Sequence, residues 1–192
     1  VHQVVPAIAA GCPVIVKPAA ATPLTCKAFV QLLHQAGLPQ DWCQMLLVSN
    51  ALAEKLACDP RVGYLSFIGS GRVGWYLRSK LAPGTRCALE HGGVAPVIVD
   101  ETVDLDAVVA PIVKGAFYHA GQVCVSAKRL YAPRSVAVEL ALKLAQAAST
   151  LKVGDPLDKS TDVGPLIRPD EVDRVDSWVQ EAINAGAKIY CG

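Results

Sequence analysis

Two residues carry most of the chemistry that this sequence offers. Cys124 sits in Gly121-Gln122-Val123-Cys124-Val125-Ser126, and Glu90 lies thirty-four residues earlier in Leu89-Glu90-His91-Gly92-Gly93. A cysteine is a nucleophile only as its thiolate, and an ordinary thiol is mostly protonated near neutral pH. A carboxylate that takes a proton from a thiol or a water supplies the complementary base. The glycines beside both residues let backbone pass close to a bound ligand. Taken singly, each residue also has a plainer reading. Cys124 is of a type that often packs as a small apolar side chain, and Glu90 can be a surface carboxylate or a helix-cap partner. His91 and His119 have no metal-ligand spacing to a partner and are read as structural; no metal site is expected.

A second set of residues has the form of a phosphate and ribose site. Lys17-Pro18 closes an apolar run, and a lysine at the carboxyl end of a parallel strand can reach a nucleotide. Gly69 to Gly74 has the form Gly-x-x-x-x-Gly between a strand and a helix. Backbone amides at such a helix start can hold a pyrophosphate. The spacing is neither that of the Gly-x-Gly-x-x-Gly fingerprint nor that of a P-loop.

The elements that must position these residues alternate between apolar runs and helical patterns. Strands are expected at 13–17, 45–48, 64–68 and 86–90. Helices are expected from Thr22-Pro23 to Ala36, from 51 to 58, and from the Gly69 turn to about Leu81. This βαβαβ order predicts a parallel sheet. Beyond Gly92-Gly93 come a strand at 95–99 and a helix capped by Asp104. Its apolar positions Leu105, Val108, Val109, Ile112, Val113, Ala116 and Phe117 follow the spacing of a buried face, with Pro111 inside it as a candidate kink. A strand at 129–132, a helix capped by Ser135 and a last helix marked by Val172, Val175, Val179, Ala182 and Ile183 complete the pattern. Lys188 to Cys191 reads as a strand just begun. The domains are divided at the double glycine, 1–92 and 93–192.

The bulk properties narrow the class. The chain is 52% apolar and 18% charged with a net charge of +1, so it offers no basic field for nucleic acid or an anionic membrane. No apolar run approaches the ~20 residues of a membrane span. None of the seven cysteines forms a Cys-x-x-Cys pair, and their odd number speaks against a disulfide framework; a reducing cytoplasm is expected. With no initiator Met and an uncapped apolar opening, the sequence reads as a piece of a longer protein.

The ordered set of motifs resembles the aldehyde dehydrogenase superfamily over nearly the whole chain. The matching segments are Gly11 to Pro18 with Thr22-Pro23, Phe67 to Ser70 with Val73-Gly74, Leu89-Glu90 with Gly92-Gly93, Gly121 to Cys124, Val153 to Pro156, and Gly164 to Leu166. The resemblance implies an α/β fold: part of a Rossmann-like NAD(P)-binding domain followed by part of a catalytic α/β domain, both incomplete. It implies oxidation of an aldehyde to a carboxylic acid, with Cys124 as the nucleophile that forms a thiohemiacetal and then a thioester, and Glu90 as the base that activates the hydrolysing water. It places NAD or NADP against Lys17, Pro18, Gly69, Ser70, Val73, Gly74 and Gly92. It also implies a homo-oligomer in the full-length protein and an isolated chain that is inactive. The alternatives are an enzyme that acylates coenzyme A and a non-catalytic piece that is only a structural or nucleotide-binding module. The sequence departs from the family pattern at His91, Val94, His119 and Ser126. Ala20 stands where the family often has a ribose-binding glutamate, which leaves NADP possible.

Overall fold

A computed structural model describes residues 1–192 as two compact units, Val1–His91 and Gly92–Gly192. In the first unit, helix α1 (Val4–Ala9) leads to strand β1 (Val14–Val16). Helix α2 (Pro23–Gln35), strand β2 (Cys43–Met45), helix α3 (Asn50–Ala57), strand β3 (Tyr64–Gly69), helix α4 (Gly71–Arg78) and strand β4 (Arg86–His91) follow. All pairings are parallel, as the alternating order predicts, but the strands form two separate pairs, β1 with β2 and β3 with β4. Where one sheet is expected, the link from the opening segment to β3 is a side chain: the Gln3 amide donates to the carbonyl oxygen and hydroxyl of Ser66, at 2.9 and 3.0 Å.

The position of β2 differs from the expected 45–48 for a reason that lies in its partner. Cys43, Gln44 and Met45 pair with Val14, Ile15 and Val16, and Leu46 donates to the carbonyl of Val16 at 2.9 Å. The next rung of a parallel ladder needs an N–H at residue 18, and Pro18 has none. The ladder therefore ends with the Leu46 N–H, and the side chains of Leu46 and Leu47 are exposed.

The core of this unit is built from buried Val4, Val30 and Cys43, with Ile8, Val14, Phe29, Leu33 and Met45 packed around them. The α2 residues Phe29, Val30 and Leu33 contribute through one helical face. Thr22 stands at the start of α2 without a side-chain cap, whereas Ser49 caps α3 by accepting from the Leu52 N–H at 3.4 Å. Helix α4 stops three residues short of Leu81. It is tied to α3 by a surface cluster in which Lys80 and the Tyr76 hydroxyl both reach Glu54, at 2.7 and 3.1 Å. The hydrogen bond from Lys80 draws the Glu54 carboxyl below its usual range.

The second unit pairs β5 (Pro96–Ile98) with β6 (Arg129–Tyr131), again in parallel, with α5 (Leu105–Phe117) as the crossover and α6 (Arg134–Ala148) packed on it. Its core is Val99, Leu105, Ile112 and Leu140. Asp104 caps α5 by accepting from the Asp106 N–H at 3.0 Å, and the helix runs on through Pro111. The expected cap at Ser135 is not formed. That residue lies inside the first turn of α6, and Pro133 stands at the cap position with no side-chain hydrogen bond. Helix α7 (Pro169–Asn184) forms, but its stripe of Val172, Val175 and Val179 is exposed. Lys188 to Cys191 pairs with nothing and is irregular, not a strand. No helix is long and apolar enough to cross a membrane.

Candidate active site

The first unit gathers its candidate residues at the carboxyl ends of its strands. Lys17 leaves β1 exposed and folds back so that its Nζ donates to the Pro18 carbonyl at 2.7 Å, while Pro18 itself is buried. At the end of β3, Gly69 hands the chain to Ser70, whose extended backbone starts α4 and whose hydroxyl accepts from the Val73 N–H at 3.4 Å. The other N–H groups of a first helical turn have no partner within the helix. This turn holds no acidic side chain, so the positive end of the helix dipole is not offset locally.

Strand β4 brings Glu90 to the same end, since Glu90 pairs with Ile68 and His91 with Gly69. Neighbouring residues of a strand point to opposite faces. Glu90 is exposed, and His91 turns the other way, onto α4, where its ring meets Trp75 and Phe67 edge-on at 5.5 and 6.4 Å. Gly92 follows in a left-handed conformation, φ +30°, with open space around it.

Cys124 belongs to the second unit, on the loop between α5 and β6. Its approach is unusual backbone: His119 and Ala120 have φ of 50° and 55°, and Gly121 follows at 71°. Two non-glycine residues held left-handed cost of the order of 1 kcal/mol or more each and persist only where surroundings enforce them. Gln122 does the enforcing. Its amide nitrogen donates to the carbonyls of His119 and Pro165 at 3.0 and 3.4 Å, and its amide oxygen accepts from the Ile167 N–H at 2.9 Å. Cys124 and Val125 then form the middle of a turn closed by Ser126 N–H to Val123 carbonyl at 3.1 Å. Lys128 braces it by donating from Nζ to the same carbonyl at 2.8 Å. The Cys124 side chain is exposed, while Gly93 packs directly under its backbone.

Several of these supports were not singled out by residue type. The Gln122 tie to 165–167 and the Gly93 contact join segments far apart in sequence; the only local signals were the glutamine before the cysteine and the doubled glycine. Ser126 is buried at 2% exposure and its hydroxyl has no hydrogen-bond partner. A buried hydroxyl without a partner is unfavourable. Ser126→Ala is therefore expected to raise stability by about 1 kcal/mol, read as an upward shift of the thermal midpoint; a lower midpoint would show that the hydroxyl is satisfied in solution.

Comparison with known proteins bears on all of this. The model of the aldehyde dehydrogenase family matches residues 1–192, the whole chain. The chain belongs to the aldehyde dehydrogenase family. Among curated relatives, a 3-sulfolactaldehyde dehydrogenase of Priestia megaterium is 39% identical over 192 residues, covering 100% of this chain and 40% of the relative. An NADP-dependent succinate-semialdehyde dehydrogenase of Escherichia coli is 39% identical over 189 residues, covering 97% of this chain and 39% of the relative. Among solved structures, an aldehyde dehydrogenase of Pseudomonas syringae in complex with NAD+ and octanal superposes with a TM-score of 0.92 at 36% identity, covering 98% of this chain and 39% of that one. The chain thus spans about 40% of the length of the curated relatives it matches. The α/β fold of this chain superposes on part of the fold of these enzymes.

Proposed function

We propose that this chain supplies the dinucleotide turn, the general base and the nucleophile of an NAD(P)-dependent aldehyde dehydrogenase. The observation that carries the reading is the Cys124 loop, where an exposed thiol tops a strained, multiply braced turn. Such bracing is what a nucleophile needs, since reactive groups must be held in near-attack geometry.

The strand ends of the first unit suit a dinucleotide. The N–H groups of Gly71 and Arg72, in a first turn of α4 that carries no acidic side chain of its own, fit a pyrophosphate seated beside Gly69, Ser70, Val73 and Gly74. Lys17 would meet the ribose, Pro18 the adenine side, and Gly92 the approach toward the nicotinamide. The absence of an acidic side chain at Ala20 admits NADP as well as NAD. The Cys124 thiolate attacks the aldehyde carbonyl, and its own amide N–H serves the oxyanion, a contribution worth ~3 kcal/mol where a donor is fixed. When bound, the dinucleotide supplies the hydride acceptor that turns the Cys124 adduct into a thioester. Glu90 then takes a proton from water, and the hydroxide equivalent releases the carboxylic acid. A carboxylate at this strand end favours hydrolysis over transfer to coenzyme A.

A second reading is kept by one observation, the 40% coverage of the relatives: by itself the chain is a nucleotide-binding module, with turnover and oligomer formation belonging to the complete subunit. The test is Glu90→Gln in the longest polypeptide that contains this chain, assayed with NAD and NADP over a panel of aldehydes. The expected result is a burst of about one reduced dinucleotide per Cys124, followed by turnover slowed about 10²–10⁴-fold, the usual worth of a general base. Unaltered steady turnover would remove Glu90 from the mechanism.

A further inference from the structure

We propose that His91 is a spacer for dinucleotide binding: its ring, seated in the notch that Gly74 leaves in α4, sets where the first turn of that helix stands above the end of β4. The proposal rests on the reading of that turn as the pyrophosphate site.

The contact is tight. A Cβ placed on Gly74 would overlap Nε2 of His91 and stand 2.9 Å from Cδ2 and 3.2 Å from Cε1. One turn earlier, a Cβ on Gly71 would stand 3.7 Å from Nδ1. Gly74 is buried, and the ring is closed in by Trp75 and Phe67. Nε2 is itself buried and makes no hydrogen bond. An imidazole here is therefore not held for its polarity, since a buried ring nitrogen without a partner is a cost. What it contributes is bulk that fills the space on a helix face made bare by glycine.

That match has consequences at the strand ends. Ser70 and the unpaired amides lie at the start of the same eight-residue helix. Packed cores transmit strain, so a change in the thickness of the layer between α4 and β4 moves that start. Glu90, on the opposite face of β4, is left undisturbed. His91 is thus a positioning residue that acts through Gly74 on the dinucleotide.

The experiment compares dissociation constants for NAD, NADP and adenosine in wild type, Gly74→Ala, His91→Leu, His91→Phe and the double variant Gly74→Ala/His91→Ala, in the longest polypeptide that contains this chain. Gly74→Ala and His91→Phe each crowd the notch and are expected to weaken dinucleotide binding about tenfold, with adenosine, which has no pyrophosphate, little changed; couplings of this size are usual between residues in contact. His91→Leu keeps the volume without the nitrogens and is expected to bind within about threefold of wild type, and the double variant to recover most of what Gly74→Ala loses. Additive losses in the double variant, or dinucleotide affinity unchanged in both crowded variants while their melting points fall, would overturn the spacer alone. A wild-type protein that binds neither dinucleotide would overturn the pyrophosphate reading, and the spacer with it.

Discussion

Cys124→Ala is expected to leave dinucleotide binding intact and to abolish aldehyde-dependent reduction, with a loss of about 10⁴–10⁶ in turnover, the range seen when a covalent nucleophile is removed. No other cysteine can take its place. Cys43 is fully buried, and burial, with Cys26 close by, pushes its thiol up and away from thiolate. Cys26, Cys58 and Cys87 are partly buried on or beside packed elements. Cys12 and Cys191 are exposed, yet neither sits on a turn braced as that of Cys124 is. Exposure alone therefore does not mark the nucleophile. The sharper measurement is the rate of alkylation of each of the seven thiols with and without dinucleotide, read by peptide mass. Cys124 should react first, and aldehyde should protect it; Cys43 should react only on unfolding. Retained turnover in Cys124→Ala, or a Cys124 slower than Cys12 and Cys191, would sink the nucleophile assignment.

The contrast between what was and was not legible follows from the range of the interactions involved. Strand β1 is a local object, an apolar run stopped by Pro18, and its own residues place it to within one residue at each end, 13–17 expected against Val14–Val16. Strand β2 is not, because its end is decided by the missing N–H of Pro18, more than two dozen residues away in sequence. The parallel direction of every pairing follows from alternating strands and helices, whereas the division into separate pairs depends on which edges find a ladder. Helix caps show the same limit: Asp104 and Ser49 make the bonds expected of their types, but Ser135 lies two residues past the cap position, which Pro133 holds. At the site, residue type pointed to Cys124, Glu90 and the Gly69 turn. Nothing local could reveal that Gln122 grips residues 165–167, or that His91 lies against a helix two strands' length away in sequence. Such contacts are encoded in pairs of residues, and a single chain read in order shows only one member at a time.

Gly93→Ala is expected to be the most damaging substitution outside the chemistry itself. A Cβ at Gly93 would overlap the carbonyl oxygen of Cys124 and stand 2.7 Å from its carbonyl carbon and 2.9 Å from its Cα. All three atoms are backbone, so no side chain can swing aside. The loop cannot easily retreat as a whole, because Ala127 N–H is bonded to the Gly115 carbonyl at 3.1 Å and Lys128 N–H to the Ala95 carbonyl at 3.2 Å, with Gln122 holding the other flank. Crowding of this kind costs about 1–3 kcal/mol. It also displaces the nucleophile, and a shift of about 1 Å in a reacting group can lower the rate about 10²-fold. Gly63→Ala is the matching control, since it has open space and no left-handed backbone, and such a change is neutral or slightly stabilising. The two variants should separate in both thermal midpoint and rate of dinucleotide reduction. If Gly93→Ala melts with Gly63→Ala and keeps its rate, the Cys124 turn yields where the packing says it is clamped, and the case for a rigidly held nucleophile fails with it.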